Sequence, residues 1–175
     1  MNEIVKKNGI TFGIIIGLFS ILATTLKYVI DVNLFISSWI GFVEIGFYLI
    51  IAIVLLSKTK KQLNGIFSFK DAFTTFFIMA LVGIVLTTIF NIILFNFIDP
   101  SLKETIKELT MKLMKKTFEK IGSSAMGKDI LMELAKTDQF SIASLIKGMF
   151  TNLVVSAIFG LIFAAFFKTS NRKEI

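Results

Sequence analysis

Residues 73–97 read FTTFFIMALVGIVLTTIFNIILFNF, a stretch of 25 residues without a single charged side chain. A helix needs about 20 apolar residues to cross the hydrocarbon layer, so this stretch is long enough to span a bilayer. Three further stretches meet the same criterion: Gly9–Ile30, Phe35–Leu56 and Ser144–Phe167, with 22, 22 and 24 residues. The sequence therefore predicts an all-α, polytopic membrane protein with four transmembrane helices, which together form one membrane domain over residues 1–175.

The composition agrees with four spans. Hydrophobic residues make up 55% of the chain and the mean hydropathy is +0.82, which is too apolar for a soluble domain of 175 residues. The chain contains no cysteine and no histidine. Disulfides and thiolate metal sites are thereby excluded, and the usual general base and commonest metal ligand are missing. We therefore predict no cofactor, no metal site and no enzymatic activity.

The basic residues predict how the chain is threaded. Nine of them lie on one side of the predicted membrane, against three acidic residues there: Lys6, Lys7, Lys58, Lys60, Lys61, Lys70, Lys168, Arg172 and Lys173, against Glu3, Asp71 and Glu174. Short basic segments stay in the cytoplasm, so both termini are predicted to be cytoplasmic and residues 99–143 external. These lysines lie at span ends and not along an aromatic face, which favours contact with lipid headgroups and argues against nucleic acid.

The first two connections are predicted from their length and turn residues. Asp31–Leu34 is expected to be a tight turn, which makes the first two spans antiparallel neighbours. The second connection, residues 57–72, contains the turn dipeptide Asn64–Gly65.

Two capping motifs predict helix starts. Ser68 is expected to cap a helix that has Asp71 at its third position and runs continuously from about Phe69 to Ile98. In Asp99–Pro100, the aspartate can accept from free backbone amides and proline is tolerated in the first helical turn. A further helix is therefore expected to begin directly after the third span.

Residues 99–143 are predicted to form an external amphipathic helical hairpin between the third and fourth spans. Apolar residues recur mostly at three- and four-residue steps among many charges: Leu102, Ile106, Leu109, Leu113, Met114, Phe118 and Ile121. Gly122 is expected to end this helix, Ser123–Ser124 to form a turn, and a second helix to cover about Gly127–Lys136 before Thr137–Asp138 interrupts it. The hairpin either folds onto the bundle or the lipid surface, or its apolar stripe receives a partner helix.

Five methionines suit the second alternative because their side chains adapt to varied contacts: Met111, Met114, Met126, Met132 and Met149. Each of them lies in the predicted hairpin or beside it.

Small residues at four-residue spacing indicate where helices pack. One repeat, Gly9, Gly13 and Gly17, lies on the first span, and a second, Ser156, Gly160 and Ala164, lies on the last. Such repeats let helix backbones approach closely in lipid. We expect them to bring the first and last spans together within one chain, with homodimerisation as the alternative.

Polar residues gather in the opposite half of the predicted spans. Thr24 and Lys27 on the first span, Glu44 on the second, Asn91 on the third and Asn152 on the fourth lie at depths of roughly 5–13 Å. An unpaired charge at that depth is costly, so Glu44 is expected to pair with Lys27 or to be protonated. This polar layer is either interhelical glue or the lining of a functional cavity.

The chain also resembles a known family. The segments Phe95-Asn-Phe-Ile-Asp-Pro-Ser101, Ser68-Phe-Lys-Asp-Ala72 and Asn8-Gly-Ile-Thr-Phe-Gly-Ile-Ile-Ile-Gly17 carry the resemblance. They are similar to a bacterial family of small four-span membrane proteins, known as domain of unknown function 4199. The resemblance implies a protein of the bacterial inner membrane, and it implies no activity, ligand or catalytic residue.

Two functional hypotheses follow. The first is a non-catalytic interaction or scaffold protein, whose external hairpin contacts a membrane or periplasmic protein. The alternative is a small transporter or channel subunit with the Glu44 layer in its path, although no span contains the proline that often marks broken transporter helices.

Overall fold

The computed structural model describes residues 2–122 and 124–169, with the backbone alone for residues 124–126. These residues form six α-helices: α1 (Glu3–Ile30), α2 (Ser38–Gln62), α3 (Phe69–Ile93), α4 (Ser101–Ile121), α5 (Ser124–Lys136) and α6 (Ile142–Phe167). A 3-10 turn, Val32–Ile36, precedes α2, and a π-helical turn, Leu94–Ile98, continues α3. Helices α1, α2, α3 with its π turn, and α6 are long and apolar enough to cross a membrane. The predicted all-helical fold with four spans is thus confirmed.

The first connection differs from the prediction. Asp31–Leu34 is not a tight turn, because the Asp31 carboxylate accepts from the backbone amide of Asn33 at 2.9 Å and starts the 3-10 turn. Phe35, predicted to begin the second span, therefore lies in this turn and α2 begins only at Ser38. Helix α1 begins at Glu3, before the predicted Gly9, because the side chain of Asn2 caps it.

The second connection is shorter than predicted. Helix α2 continues to Gln62, so Lys58, Lys60 and Lys61 are helical and the connection covers only residues 63–68. Lysines in a last helical turn interact favourably with the partial negative charge of its free carbonyls. The predicted turn is present at Asn64 and Gly65, which have φ angles of 53° and 81°.

Both predicted capping motifs are confirmed. The hydroxyl of Ser68 accepts from the backbone amide of Asp71 at 3.0 Å, and α3 with its π turn runs from Phe69 to Ile98. The carboxylate of Asp99 accepts from the backbone amides of Ser101 and Leu102 at 3.1 and 3.2 Å. The hydroxyl of Ser101 also donates to Asp99 and holds the pKa of its carboxyl below the ordinary value, so the cap stays charged down to low pH.

Helices α4 and α5 form the predicted hairpin. Gly122 ends α4 with a φ of 75°, as predicted, but α5 begins at Ser124 and not at Gly127. Gly127 is instead the place where the two helices cross, because a Cβ built there would lie 2.7 Å from Cγ of Phe118. Two predicted features, Ser123 in the turn and the side chain of Met126, lie outside the described residues.

The base of the hairpin packs onto one end of the bundle, here called the hairpin end. Leu102 and Ile106 of α4 are 3% and 4% exposed, and they pack with Leu94 and Phe95 of the π turn. Phe95 also lies 4.3 Å, between ring centroids, from Phe140 of the α5–α6 connection.

Asn96 in the π turn ties three elements together at this end. Its side-chain amide donates to the carbonyl oxygens of Ile92 and Phe140, both at 3.1 Å. Its Oδ1 accepts from Nζ of Lys103 in α4 at 2.7 Å. Lys103 in turn lies 3.4 Å from the Asp138 carboxylate, which fixes the start of α4 relative to the α5–α6 connection.

Helix α3 lies at the centre of the bundle and packs closely along α1. A Cβ built at Gly9, Gly13 or Gly17 would lie 2.8, 2.6 or 2.8 Å from side-chain atoms of residues 78, 82 and 86, respectively. The contacts advance by four residues on both helices, so α1 and α3 run parallel. From the α3 side, Gly83 receives the side chain of Ile16.

Helix α6 packs against α3 as well, which corrects the expected contact between the first and last spans. A Cβ at Gly160 would lie 3.0 Å from the ring of Phe76 and 3.3 Å from that of Phe73. Ala164 is fully buried and Ser156 is half-buried. Both glycine-containing repeats therefore face α3 and not each other. This is possible because glycine allows close approach to a large neighbour as readily as to another small residue. The faces considered for homodimerisation are thus occupied within the chain.

The opposite end, here called the basic end, contains the densest packing. Ala52, Leu55, Phe67, Phe76 and Met79 are fully buried in one cluster. This end also carries the described lysines of the predicted cytoplasmic side: Lys6, Lys7, Lys58, Lys60, Lys61, Lys70 and Lys168. Arg172 and Lys173 lie outside the described residues.

Polar contacts close this end. Asn8 of α1 is buried and donates to Oγ1 of Thr59 at 3.0 Å and to Oε1 of Gln62 at 2.6 Å, which joins α1 to α2. Thr169, after α6, donates its backbone amide to the carbonyl of Phe67 at 2.7 Å, and its hydroxyl accepts from the Phe67 amide at 2.9 Å.

The close contact between α1 and α3 generates the first testable prediction. Gly13→Leu should push the two helices apart, because its Cβ would lie 2.6 Å from Cβ of Val82 and 2.9 Å from the backbone oxygen of Met79. Such overpacking should lower the free energy of unfolding by about 2 kcal/mol or more, measured by thermal melting in mild detergent. Gly46→Leu is the matched control, since no atom lies within 4 Å of a Cβ at that position. Equal melting of both variants would contradict this packing.

Candidate functional site

Helices α1 and α2 are joined by an ion pair near the hairpin end. Nζ of Lys27 lies 2.6 Å from Oε1 of Glu44, and their side chains are 15% and 33% exposed. Lys27 lies in the last turn of α1, where the helix dipole favours a cation, and Glu44 lies in the second turn of α2. The Lys27 ammonium also lies 5.8 Å from the centre of the Phe35 ring. The structure therefore satisfies both charges locally.

A cavity of 480 Å³, here called the first cavity, lies beside this ion pair. Its walls come from α1 and α2, with one residue of α3: Ile16, Phe19, Ser20, Thr24, Lys27, Gly41, Glu44, Ile45, Phe47, Tyr48 and Thr87. Phe19 and Phe47 stack across it with ring centroids 3.7 Å apart. Gly41 has no atom within 4 Å of a Cβ built there, so α2 stands away from its neighbours at this level.

A second cavity of 330 Å³ adjoins the first. The two share four wall residues, Ile16, Ser20, Tyr48 and Thr87. From there the second cavity extends between α3 and α6 to Gln139 and Ser144 at the hairpin end, and its polar lining includes Thr88, Asn91 and Asn152. The two cavities thus bring residues of all four spanning helices to one polar region.

Oδ1 of Asn91, in the wall of the second cavity, is buried and has no hydrogen-bond partner among the described residues. A buried polar atom without a partner costs about 1–3 kcal/mol, so this oxygen favours a guest that can donate a hydrogen bond to it. The hydroxyl of Tyr48 lies beside the side chain of Ser156 in α6. The ring of Tyr48 is held edge-on against Phe76 at 6.1 Å, which keeps its hydroxyl at the wall that both cavities share.

The cavities end at the packed core of the basic end. Ile16, Ala80 and Gly83 form their deepest described walls, and Ile16 and Ala80 are at most 5% exposed. Beyond them lies the cluster around Phe12, Phe76 and Met79. The bundle is thus closed in one half and contains two cavities with a few polar lining groups in the other.

The structure places every residue of the predicted polar layer beside one of these cavities. Thr24, Lys27 and Glu44 line the first, and Asn91 and Asn152 line the second, where Asn152 is largely exposed. The predicted single layer is therefore divided between two adjoining spaces.

Sequence reasoning missed Ser20, Tyr48 and Thr87 in the cavity walls. A usable signal was present, because each lies four residues from a predicted member: Ser20 from Thr24, Tyr48 from Glu44 and Thr87 from Asn91. Residues four apart lie on the same helix face. The buried Asn8–Thr59 contact was missed because the region around Thr59 was interpreted as a loop.

The site offers limited reactive chemistry. Within residues 2–122 and 124–169, no three histidine, cysteine, aspartate or glutamate side chains come together to hold a metal ion. What the lining supplies is one cation, one anion, several hydroxyls, an amide oxygen and aromatic surface. These groups can bind and orient a polar guest at a depth where the bilayer offers no hydrogen bonds.

Four helices that are long and apolar enough to cross a bilayer define a multi-pass membrane protein. Comparison with known families then identifies it: the chain belongs to the family described as "Protein of unknown function (DUF4199)", whose profile matches residues 11–169. The match includes the ion pair, both cavities and the hairpin, and it confirms the resemblance seen in the sequence. No curated protein and no solved structure matches the chain.

Proposed function

We propose that this protein is a non-catalytic interaction or scaffold protein of the bacterial inner membrane and that its hairpin α4–α5 is the contact surface. The observation that carries this proposal is the unequal burial along α4. Leu102 and Ile106 at its base are buried against the bundle, whereas Leu113 and Ile121 further along are 42% and 68% exposed. A rigidly based helix that presents apolar side chains beyond its support is suited to receiving a partner helix.

The proposed orientation places the basic end in the cytoplasm and the hairpin outside. It is supported by the seven described lysines at the basic end, which lie in short segments or at helix ends. Positive charge in such segments resists translocation. Both termini are then cytoplasmic, and a partner of the hairpin is a membrane or periplasmic protein.

Reporter fusions test this orientation. A reporter that is active only in the cytoplasm should be active when fused after Lys61 or Arg172, and a reporter that requires the periplasm should be active at Gly122. Lys61 follows two crossings and Arg172 follows four, so both lie on the starting side, whereas Gly122 follows three crossings. Cytoplasmic activity at Gly122 would contradict both the orientation and the external hairpin.

The apolar stripe of the hairpin generates a binding prediction. Leu113→Asp should abolish co-purification of a bound membrane or periplasmic protein from mild detergent, because it places a charge in the centre of the contact surface. The thermal melting of the bundle should change little, since Leu113 is 42% exposed. Lys112→Glu and Lys116→Glu are matched controls on the solvated face and should keep the partner.

Two outcomes would contradict the hairpin proposal. Retention of the same partner by Leu113→Asp would show that the stripe does not bind it. A large loss of melting temperature in Leu113→Asp would show that the stripe contributes to internal packing.

A second candidate function is a small transporter or channel subunit. The observation that favours it is the pair of adjoining cavities, which bring Lys27, Glu44 and Asn91 to one polar region inside the spanning helices. The closed core at the basic end means that transport would require a second conformation that opens this half.

Glu44→Gln distinguishes the two candidates. Glutamine keeps the shape and hydrogen bonding of glutamate but cannot ionise, so flux that depends on a titrating carboxylate should stop. The measurement is proton- or cation-driven flux into vesicles that contain the purified protein, with a melting curve for each variant. We expect no flux from the wild type, as the scaffold proposal requires. Robust wild-type flux that disappears in Glu44→Gln would favour the transporter.

A further inference from the structure

The first cavity combines a gap between two helices with an ion pair at its edge. We infer that it binds the headgroup of a zwitterionic aminophospholipid, with the lipid phosphate at Lys27 and the lipid ammonium at Glu44. This inference does not depend on the function of the hairpin. The inference names an occupant for one of the cavities that favour the transporter candidate. Its test measures bound lipid and not flux, so the lipid inference and the transporter candidate can fail separately.

The gap is open where a lipid would have to enter. Gly41 lines the cavity, yet no atom lies within 4 Å of a Cβ built on it. At this level α1 and α2 meet through long side chains, as in the Lys27–Glu44 and Phe19–Phe47 contacts. Ile45, the apolar wall residue next to Glu44, is 58% exposed. A headgroup can therefore enter from the side while its acyl chains stay in the bilayer.

The ion pair lies close to the helix ends that face the lipid headgroups. Lys27 is three residues from the end of α1 at Ile30, and Glu44 is six residues from the start of α2 at Ser38. At 1.5 Å per residue these positions are roughly 5 and 9 Å inside the helix ends. Phosphate and glycerol groups occupy the layer just outside the hydrocarbon, so a headgroup needs to descend only this far into the gap to reach Lys27 and Glu44.

The free hydrogen-bonding groups match an ammonium ion. Glu44 is an anion at the edge of the first cavity, and the hydroxyls of Ser20 and Thr24 in the same wall can accept hydrogen bonds. A primary ammonium carries three N–H donors, which can be shared among these acceptors. The ammonium of Lys27 has three donors, of which Glu44 takes one, and a phosphate can accept the others. A zwitterion therefore matches Lys27 and Glu44 with each charge opposite its partner.

Other common headgroups match less well. A trimethylated ammonium keeps the positive charge but has no N–H to donate to Glu44 or to the hydroxyls of the cavity wall. A glycerol headgroup has hydroxyls but no cation for Glu44. We therefore expect the site to prefer a primary amine over both.

The test is lipid retention by the intact protein. Wild-type protein is placed in nanodiscs with equal amounts of phosphatidylethanolamine, phosphatidylcholine and phosphatidylglycerol, then released and weighed by native mass spectrometry. One phosphatidylethanolamine should be retained roughly tenfold over either competitor, since hydrogen bonds to a charged group are stronger than neutral ones. Equal retention of the three lipids would overturn the inference.

Two glycine variants locate the site. Gly41→Leu should fill the cavity without a clash and remove the preference for phosphatidylethanolamine, while the melting temperature stays within a few degrees of wild type. Gly46→Leu makes the same change on the same helix, where a Cβ also has open space, but Gly46 does not line the cavity. It should retain the lipid. Retention by Gly41→Leu, or loss in Gly46→Leu, would show that the lipid binds elsewhere.

A charge-removing variant and a soluble competitor test which groups of the lipid the cavity recognises. Glu44→Gln should reduce the preference for the primary amine, because it removes the anion opposite the ammonium. Soluble glycerophosphoethanolamine should not displace the lipid at equal concentration, since it lacks the acyl chains that the bilayer-facing gap accommodates. Displacement by this soluble compound would overturn the assignment to a lipid, and an unchanged preference in Glu44→Gln would overturn the role of the ion pair.

Discussion

The close approach of α1 and α3 is the contact on which the rest of the bundle depends. Lipid chains are as apolar as leucine, so helices in a bilayer gain little from burying apolar surface and associate through close packing and polar contacts. Gly9, Gly13 and Gly17 supply that packing, because none of the three positions has room for a Cβ. With α1 on one face, α3 offers Phe76 to both Gly160 of α6 and Tyr48 of α2. Helix α3 thereby becomes the common support of the other three spans.

This arrangement treats α2 differently from the other helices. A Cβ built at its Gly41 or Gly46 has no atom within 4 Å, and its contacts with α1 are made by side chains, including the stacked rings of Phe19 and Phe47. At the basic end, Asn8 joins it through Thr59 and Gln62, and near the hairpin end Lys27 joins it through Glu44. Between and beside these contacts, the helices leave space. Helix α2 is thus held by side-chain contacts, whereas α1 and α6 pack closely against α3. The cavities lie where α2 lacks such close packing.

Hydropathy and capping residues predicted much of the fold. Four apolar stretches identified the four spans, Ser68 and Asp99 identified two helix starts, and Gly122 identified a helix end, because each of these depends on local chemistry. The pairing of Glu44 with Lys27 was one of the two predicted alternatives, because both charges lie at a similar depth in the predicted spans, and the structure contains it. The sequence did not predict in the same way which helices pack against each other. A glycine stripe shows which face of a helix can be approached, but it does not show which helix approaches it, so α3 was overlooked as the partner of both repeats. The continuation of α2 through Lys58 and Lys61 was missed because lysines suggest a loop as readily as a helix end.

The π turn at Leu94–Ile98 has a consequence for how this chain can vary. A π turn holds one residue more than the α-helical turn it replaces, and here its closing hydrogen bond runs from the Asp99 amide to the Leu94 carbonyl at 2.9 Å. Each residue turns an α-helix by about 100°, so the extra residue sets the rotational phase at which α4 leaves α3. Asn96 holds α4 in this orientation through its hydrogen bonds to Phe140 and Lys103. Loss of one residue here would leave four spans of adequate length and an intact hairpin sequence, yet it would aim the hairpin in another direction. The orientation of this hairpin is therefore encoded in residue count as much as in residue type.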